Sequence, residues 1–241
     1  MKAVAIALTF GRPELSELLA CIARQSRPLP TLVYVDDAPE LEIVAPDDVE
    51  VVYGAPIAGG EHAIGTMRRL AISLARARYQ LGPRDALLVL DDDDFYASTH
   101  YEYTLRALER DAEWTGSLSM GLETTMADGR AMIEHVRAER GYGQHGTWCY
   151  RLGLYDLAGG YPEQTPMPDV ALGQAMAALR PCTPHRYCTH VRKHHALNLS
   201  LCKLSRQELR ARTPRELVAA PRWTDLCEER ERFCAAYLLE D

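Results

Sequence analysis

The chain has 241 residues, of which 47% are hydrophobic and 25% are charged, and its formal net charge is −7 at pH 7. This composition is ordinary for a globular protein with a sizeable core. No apolar run reaches the length of about 18 residues that a membrane-spanning helix needs, which excludes a helical membrane protein.

The start of the chain and its cysteines indicate a compartment. The apolar run at residues 3–9 is followed by Arg12 and Glu14 and by no small-residue cleavage site, so we interpret it as a first strand and not as a signal peptide. The seven cysteines are an odd number without an evident framework, which is typical of mostly free thiols in a reducing setting. We therefore expect a cytoplasmic protein.

The first part of the chain alternates short apolar runs with amphipathic segments of helix length. Strands are predicted at residues 3–9, 32–35, 49–53 and 86–90, and helices at 13–25 and 63–79, the first of them opening on Pro13. This order predicts an α/β fold with a mostly parallel central sheet flanked by helices.

The second part is less regular. Residues 112–151 mix polar, aromatic and glycine residues, which predicts short strands and loops. Helices are predicted at residues 169–179, 205–212, 216–220 and 226–239. The chain contains no internal repeat and no low-complexity linker, so we expect a single domain over residues 1–241.

Polar side chains follow three of the predicted strands. Thr9 ends the first strand, Asp36 and Asp37 follow the second, and the sequence LLVLDDDDFY at residues 87–96 places four aspartates after the fourth. Ligands bind beyond the carboxyl ends of the strands in such sheets. Adjacent carboxylates repel one another unless a cation or solvent relieves the repulsion. The run therefore indicates either a cation site or an acidic surface loop.

Residues 180–222 carry a different charge from the rest of the chain. They contain ten Lys or Arg residues and two acidic residues, although the whole chain is acidic. This pattern favours either an anion-binding surface, for a partner that carries phosphate, or a solvated helix face.

Several motifs, in order, resemble the nucleotide-sugar glycosyltransferases of the GT-A fold, in particular the inverting family 2. The resemblance rests on ALTFGRPELSELLACIARQSRPLPTLVYVDDAP at residues 7–39, GTMRRLAISLARARY at 65–79 and LVLDDDDFY at 88–96. It continues in GTWCYRLGLYDLAGGYPE at 146–163, PDVALGQAM at 168–176 and HALNLS at 195–200. It implies a nucleotide-sugar-binding half at residues 1–110, an acceptor-binding and catalytic half at 111–200, and C-terminal helices at 201–241.

The resemblance also implies roles for individual residues. Donor binding is implied for seven of them: Thr9, Arg12, Asp36, Asp37, Arg68, Asp91 and Asp92. Metal binding is implied for Asp93 and His195, with Mn²⁺ or Mg²⁺ as the cofactor, because these ions prefer carboxylate oxygens. Candidate contacts to phosphate or acceptor are Arg192, Lys193, His194 and Asp94.

Asp169 is the expected general base. An acceptor hydroxyl that attacks the anomeric carbon needs a carboxylate within hydrogen-bond reach. The alternative is that Asp169 only caps the helix predicted at 169–179, since Asp is favoured at that position.

The implied function is a metal-dependent inverting transfer of a sugar from a nucleotide-sugar donor to an acceptor hydroxyl. We expect the donor to be UDP-linked. The acceptor stays open: a glycan, a lipid-linked saccharide, a small molecule, or a hydroxylated base in DNA bound through the basic stretch. An anionic lipid surface is another partner for that stretch. The rival classes are a nucleotidyltransferase and a non-catalytic module that binds nucleotide sugars.

A zinc site is a weaker alternative. Its ligands would come from Cys182, His185, Cys188, His190 and Cys202. Zinc ligands are usually spaced in close pairs, and this set only partly has that spacing.

Overall fold

The computed structural model describes residues 1–36, 40–54, 64–126, 128, 130–138, 141–163, 167–194 and 218–238. The strands are β1 Ala3–Thr9, β2 Thr31–Asp36, β3 Glu42–Ile43, β4 Val49–Gly54, β5 Ala86–Asp91, β6 Phe95–Tyr96, β7 Trp114–Thr115, β8 Ser119–Thr125, β9 Ala131–Arg137, β10 Cys149–Arg151, β11 His190–His194 and β12 Val218–Ala219. The helices are α1 Leu15–Ala23, α2 Ile64–Tyr79, α3 His100–Glu109, α4 Leu152–Leu157, α5 Pro168–Leu179 and α6 Asp225–Ala236, with a 3₁₀ turn at His145–Thr147.

The central sheet has six strands in the order β4-β2-β1-β5-β10-β7. The first four run parallel, and β10 pairs antiparallel with both β5 and β7. The sequences of β1, β2 and β5 are nearly continuous apolar runs because helices cover both faces of the sheet. This confirms the predicted α/β class.

Alternate residues of these strands divide between two cores, as the two-residue period of a strand requires. Ala5 and Leu88 point to one side, where they join the core that contains Leu18 of α1. Ile6 and Val89 point to the other side and join the core that contains Met67 of α2. The two cores hold the parallel strands in place, so the carboxyl ends of β1, β2 and β5 meet at one edge.

A second sheet, which we call the small sheet, has the order β6-β11-β8-β9. In it β11 runs parallel to β8 and antiparallel to β6, and β9 is antiparallel to β8. Because β6 follows directly after the aspartate run, the small sheet begins where the central sheet ends. It therefore stands beside the edge at which the parallel strands finish.

Most predicted elements of the first part are confirmed, and one prediction in the second part is wrong. Residues 216–220 were expected to be helical, but Val218–Ala219 forms strand β12, which pairs in parallel with Glu42–Ile43. A β-branched residue that pairs with another strand outweighs a weak helical pattern over so few residues. The helix predicted at 205–212 lies outside the described residues.

Three further findings concern the expectations about membrane spans, cysteines and Asp169. No helix in the described part of the chain is long and apolar enough to cross a membrane. The six cysteines within that part are free thiols, five of them buried. Helix α5 begins at Pro168, so Asp169 lies in its first turn and is not its N-cap residue.

Candidate functional site

A cavity of about 620 Å³ lies between the carboxyl edge of the central sheet and the small sheet. Four groups of residues line it: the ends of β1 and β5 with the turn at 91–94, the first turns of α2 and α5, the segment 143–146, and one face of β8, β9 and β11. This is the edge at which the sequence predicted a ligand site. The acidic run lines the cavity, so it is not merely an exposed loop.

Arg12 is the first residue that the fold brings to the aspartate run. Its side chain is only 3% exposed, and Nη1 donates to Asp93 Oδ2 at 2.5 Å and lies 3.9 Å from Asp92 Oδ1. Burial acts to lower the pKa of Arg12, but Asp92 and Asp93 outweigh it and raise the pKa. The guanidinium is therefore a fixed positive charge in the floor of the cavity.

Asp92 is a buried carboxylate beside Arg12. Burial and the neighbouring Asp93 raise the pKa of Asp92 to about 7, against the opposing effects of Arg12 and of a hydrogen bond from Thr9. The Thr9 hydroxyl also accepts a hydrogen bond from the backbone N–H of Gly11, at 3.0 Å. Gly11 has φ +79°, a left-handed conformation that suits glycine and turns the chain from β1 toward α1.

Asp91 belongs to a separate network. Its Oδ1 accepts from Arg68 Nη2 at 3.3 Å and lies 3.6 Å from Nδ1 of His145. Burial acts to raise the pKa of Asp91, but His145 and Arg68 outweigh it and hold the pKa below its usual range. The opposite ring nitrogen of His145, Nε2, is 2.7 Å from the Tyr161 hydroxyl.

The close approach of the 143–146 segment to Asp91 depends on a glycine. A Cβ atom at Gly146 would lie 2.9 Å from Asp91 Oδ2 and 2.9 Å from the Tyr96 hydroxyl oxygen. A larger residue at this position would require the side chain of Asp91 or Tyr96 to shift.

Asp94 lines the cavity but is bound to the small sheet. Its Oδ2 lies 2.8 Å from His190 Nε2, and its Oδ1 accepts from the backbone N–H of Lys193 at 3.1 Å. Burial is the main cause that raises the pKa of Asp94. These bonds tie the aspartate run to β11, so Asp94 holds the turn in place and both of its oxygens are already engaged.

The structure separates Arg192 from Lys193, which the sequence placed together. Arg192 lines the cavity and donates to Gln144 Oε1 at 3.3 Å. Lys193 points to the opposite face of the small sheet, where its Nζ is 2.6 Å from Glu17 Oε2. Lys193 is not among the residues that line the cavity.

Asp169 lines the cavity from the first turn of α5. Its carboxylate contributes to raising the pKa of Arg68, which places the two side chains within electrostatic reach of each other. Asp36 is 1% exposed at the end of β2, and neither Asp36 nor Thr9 is among the residues that line the cavity.

Two predicted site residues, Asp37 and His195, lie outside the described residues, and the side chain of His194 is not described either. The same is true of residues 195–217 within the basic stretch at 180–222. Neither His195 as a metal ligand nor the basic stretch as an anion-binding surface is tested, and both stay predictions.

The carboxylate oxygens that the cavity offers as metal ligands fit a hard divalent cation. Mg²⁺ and Mn²⁺ bind through one or two carboxylates and complete their shell with water and phosphate oxygens. Asp91 and Asp93 line the cavity, and Asp92 Oδ2 is buried without a hydrogen-bond partner among the described residues. No group of three or more His, Cys, Asp or Glu residues able to hold a metal occurs in the described ranges. An ion here would need phosphate oxygens, and the described part of the proposed zinc set forms no site.

His145, Tyr161 and Gln144 are site residues that the sequence did not single out for a role. Tyr161 stands inside a motif that we quoted, and its ring lies 5.3 Å below the Arg68 guanidinium carbon. His145 and Gln144 directly precede that motif, in a glycine-containing stretch predicted only as loops and short strands. The signal that could have found His145 is its position just before a strand. This strand, β10, pairs with β5 and so brings the histidine back to the aspartate run.

Comparison with known proteins finds similar structures but no similar sequences. No family model matches the chain, and no curated protein matches it. The structure is similar to that of residues 1–349 of S. aureus TarS in complex with UDP-GlcNAc, with a TM-score of 0.57 and 14% sequence identity over 85% of this chain and 62% of that chain. The complex of the same protein with UDP gives a TM-score of 0.55 and 16% identity over 82% and 62%.

The chain thus spans less than two thirds of the length of the TarS chains it matches. At this level of identity the similarity shows the fold. The chain has the same α/β fold as TarS, in agreement with the GT-A-like fold that the sequence motifs predicted.

Proposed function

We propose that the protein is an inverting glycosyltransferase that moves a sugar from a UDP-linked donor to an acceptor hydroxyl with the help of a divalent cation. The observation that carries the proposal is the cavity at the carboxyl edge of the sheet. It joins the guanidinium groups of Arg12 and Arg68 and the four aspartates of the run at one end to the first turn of α5, with Asp169, at another. The similarity to TarS, which was crystallised with UDP-GlcNAc and with UDP, supports the choice of donor.

The guanidinium groups of Arg12 and Arg68 suit the diphosphate of such a donor. The Arg12 side chain is buried, the Arg68 side chain is 13% exposed, and both have raised pKa values, so both stay charged where water screens them little. A developing negative charge on the departing nucleotide is stabilised by positive charges that are already in position. Asp93, with His195 by resemblance, would hold the cation, which when bound acts as a Lewis acid on the diphosphate.

The transfer itself needs one proton acceptor from the protein. The acceptor oxygen forms a bond to the anomeric carbon on the face opposite the nucleotide, while the bond from that carbon to the diphosphate breaks and its electron pair leaves with the nucleotide. The carboxylate of Asp169 takes the proton of the attacking hydroxyl. Its position in the first turn of α5 fixes the carboxylate relative to Arg68, so base and leaving group lie in one cavity.

Replacing the proposed base tests this function. We expect Asp169→Asn to bind UDP-GlcNAc within about threefold of the wild type and to lose turnover by about 10²-fold or more, since general-base catalysis contributes that much. Binding is measured by calorimetry, and turnover as UDP release from UDP-GlcNAc with water as the acceptor.

The matched control is Asp225→Asn, an exposed first-turn aspartate of α6, which should change neither quantity. Full turnover in Asp169→Asn would contradict the assignment of the base. Release of pyrophosphate from a nucleoside triphosphate, without UDP release from any UDP-sugar, would favour a nucleotidyltransferase.

A further inference from the structure

The small sheet has two chemically different faces. On one face Glu123 and Lys193, which are register partners on β8 and β11, form ion pairs with residues of α6 and α1. On the other face Leu122 and its register partner Arg192 line the cavity. The alternation of side chains along a strand makes this division necessary, so the second face is available to a ligand.

The cavity face of the small sheet is apolar at its centre. Met120 and Val136 stand directly opposite each other on β8 and β9, and Leu122 follows on the same face of β8. Met120 is nearly buried, but Leu122 and Val136 remain half-exposed because only the cavity lies above them. Covering these two side chains with an apolar part of a ligand removes carbon surface from water, which is favourable in proportion to its area.

Two arginines border Met120, Leu122 and Val136, which we call the apolar wall. Arg192 stands beside Leu122 and is oriented by its bond to Gln144, and Arg137 lies at the end of β9 next to Val136. The acidic residue nearest to this wall in the strand register is Glu134, opposite Leu122, and it is exposed and not among the residues that line the cavity. The carboxylates of the aspartate run lie at the other end of the cavity, where we place the donor. The half of the cavity next to the small sheet is therefore complementary to an anion that lies next to an apolar group.

We propose that the acceptor is a small amphipathic molecule that carries a hydroxyl, an apolar ring or chain, and a carboxylate or phosphate. The apolar part lies on Met120, Leu122 and Val136, and the anionic group contacts Arg192 and Arg137. This places the hydroxyl toward Asp169, which lines the same cavity. The inference rests on the proposed function, because it assigns the half of the cavity that the donor leaves open.

The test measures binding of three probes to the protein saturated with UDP and Mn²⁺. The probe 4-hydroxyphenylacetate has the ring, the hydroxyl and the charge, its methyl ester lacks the charge, and glycerol 3-phosphate lacks the apolar ring. We expect the acid to bind about tenfold more tightly than either of the others, because the ester has no charge for the arginines to bind and glycerol 3-phosphate has no ring to cover the apolar side chains.

Two variants assign the contacts. Arg192→Gln should weaken the acid about tenfold and leave the ester unchanged, whereas Leu122→Asn should weaken both by a similar factor. The matched controls are Arg78→Gln and Leu157→Asn, which replace an exposed arginine and a 74%-exposed leucine away from the cavity and should change nothing.

The outcomes separate this inference from the proposed function. If UDP does not bind, the proposed function fails. If UDP binds but the acid probe binds no better than the other two, or Arg192→Gln does not discriminate between acid and ester, only the acceptor inference is overturned. Displacement of the acid probe by a duplex oligonucleotide or by vesicles containing an anionic lipid would also overturn it, in favour of a macromolecular or membrane acceptor.

Discussion

The four consecutive aspartates have four different environments. Asp91 pairs with Arg68, Asp93 pairs with Arg12, and Asp94 is bound to His190, while Asp92 is buried beside Arg12 with a raised pKa. Partners from three separate parts of the chain, the guanidinium groups of Arg12 and Arg68 and the ring of His190, thus relieve the repulsion that the sequence suggested. The run is a set of individually positioned carboxylates and not one uniform patch of negative charge.

Arg12 competes with a cation for Asp93. Because the guanidinium occupies Asp93 Oδ2, we expect Arg12→Met to bind Mn²⁺ more tightly than the wild type in the absence of nucleotide. The same variant should bind UDP roughly tenfold to a hundredfold more weakly, because the diphosphate loses a charged partner. Mn²⁺ titration followed by electron paramagnetic resonance measures the first quantity, and calorimetry measures the second.

The control is Arg27→Met, which removes an exposed ion pair with Glu109 and should change neither affinity. Weaker binding of both Mn²⁺ and UDP by Arg12→Met would show instead that the variant has lost the structure of the site.

The sequence alone was enough to predict that residues at the ends of its elements would lie together at one site. Arg12, Asp93 and Asp169 each follow a strand or begin a helix, and the structure brings all three to one cavity. Partners far apart in the chain could not be assigned. Lys193 was expected near phosphate, yet it pairs with Glu17, 176 residues away, and no local pattern reports on such a contact.

A buried ion-pair network joins three elements behind the small sheet. Arg230 on α6 is 2% exposed, and it donates through Nε and Nη2 to Glu123 on β8 and through Nη1 to Glu17 on α1. The two bonds to Glu123, 2.6 and 2.8 Å long, are bidentate, which is the strong geometry for this pair. The network fixes α6 against the face of the small sheet opposite the cavity.

We expect Arg230→Met to lower the free energy of unfolding by about 3–5 kcal/mol, because it leaves the carboxylate of Glu123 buried without its cation. Urea denaturation measures this change. Arg232→Met, at an exposed position of the same helix, is the control and should change stability by less than about 0.5 kcal/mol. Equal effects of the two substitutions would contradict the role of the network.

At the scale of elements, the sequence was informative where the hydrophobic pattern was long. The parallel strands and α2 follow from continuous apolar runs and from helical spacing. Short strands were harder: β6, β7 and β12 have two residues each, too few for a periodicity, and they exist because a neighbouring strand pairs with them. The longer strands of the small sheet, β8 and β9, lie in a region that was expected only as short strands and loops because its sequence mixes polar, aromatic and glycine residues.

Buried neutral histidines link the stability of the whole molecule to pH. Burial lowers the pKa of His185 to about 4 and that of His100 well below its usual value. The unfolded chain then binds protons that the two folded-state histidines do not, so their contribution to stability is full above about pH 6.5 and falls as the pH drops toward 4.

For His185 alone this amounts to about 3 kcal/mol at the acid end. We expect His185→Gln to lose correspondingly less stability than the wild type between pH 6.5 and pH 4, as measured by urea denaturation at a series of pH values. Identical pH dependence in the two proteins would contradict the burial of a neutral His185.

The central claim is that the cavity binds a nucleotide sugar through Arg12, Arg68 and the aspartate run, and the most direct measurement is the melting temperature with a panel of nucleotide sugars, each with and without Mn²⁺. We predict that at least one UDP-sugar raises the melting temperature by roughly 5–10 °C at a hundredfold excess over its Kd, and that the rise depends on Mn²⁺ and is lost in Asp93→Ala. No rise with any nucleotide sugar, with or without metal, would contradict the claim.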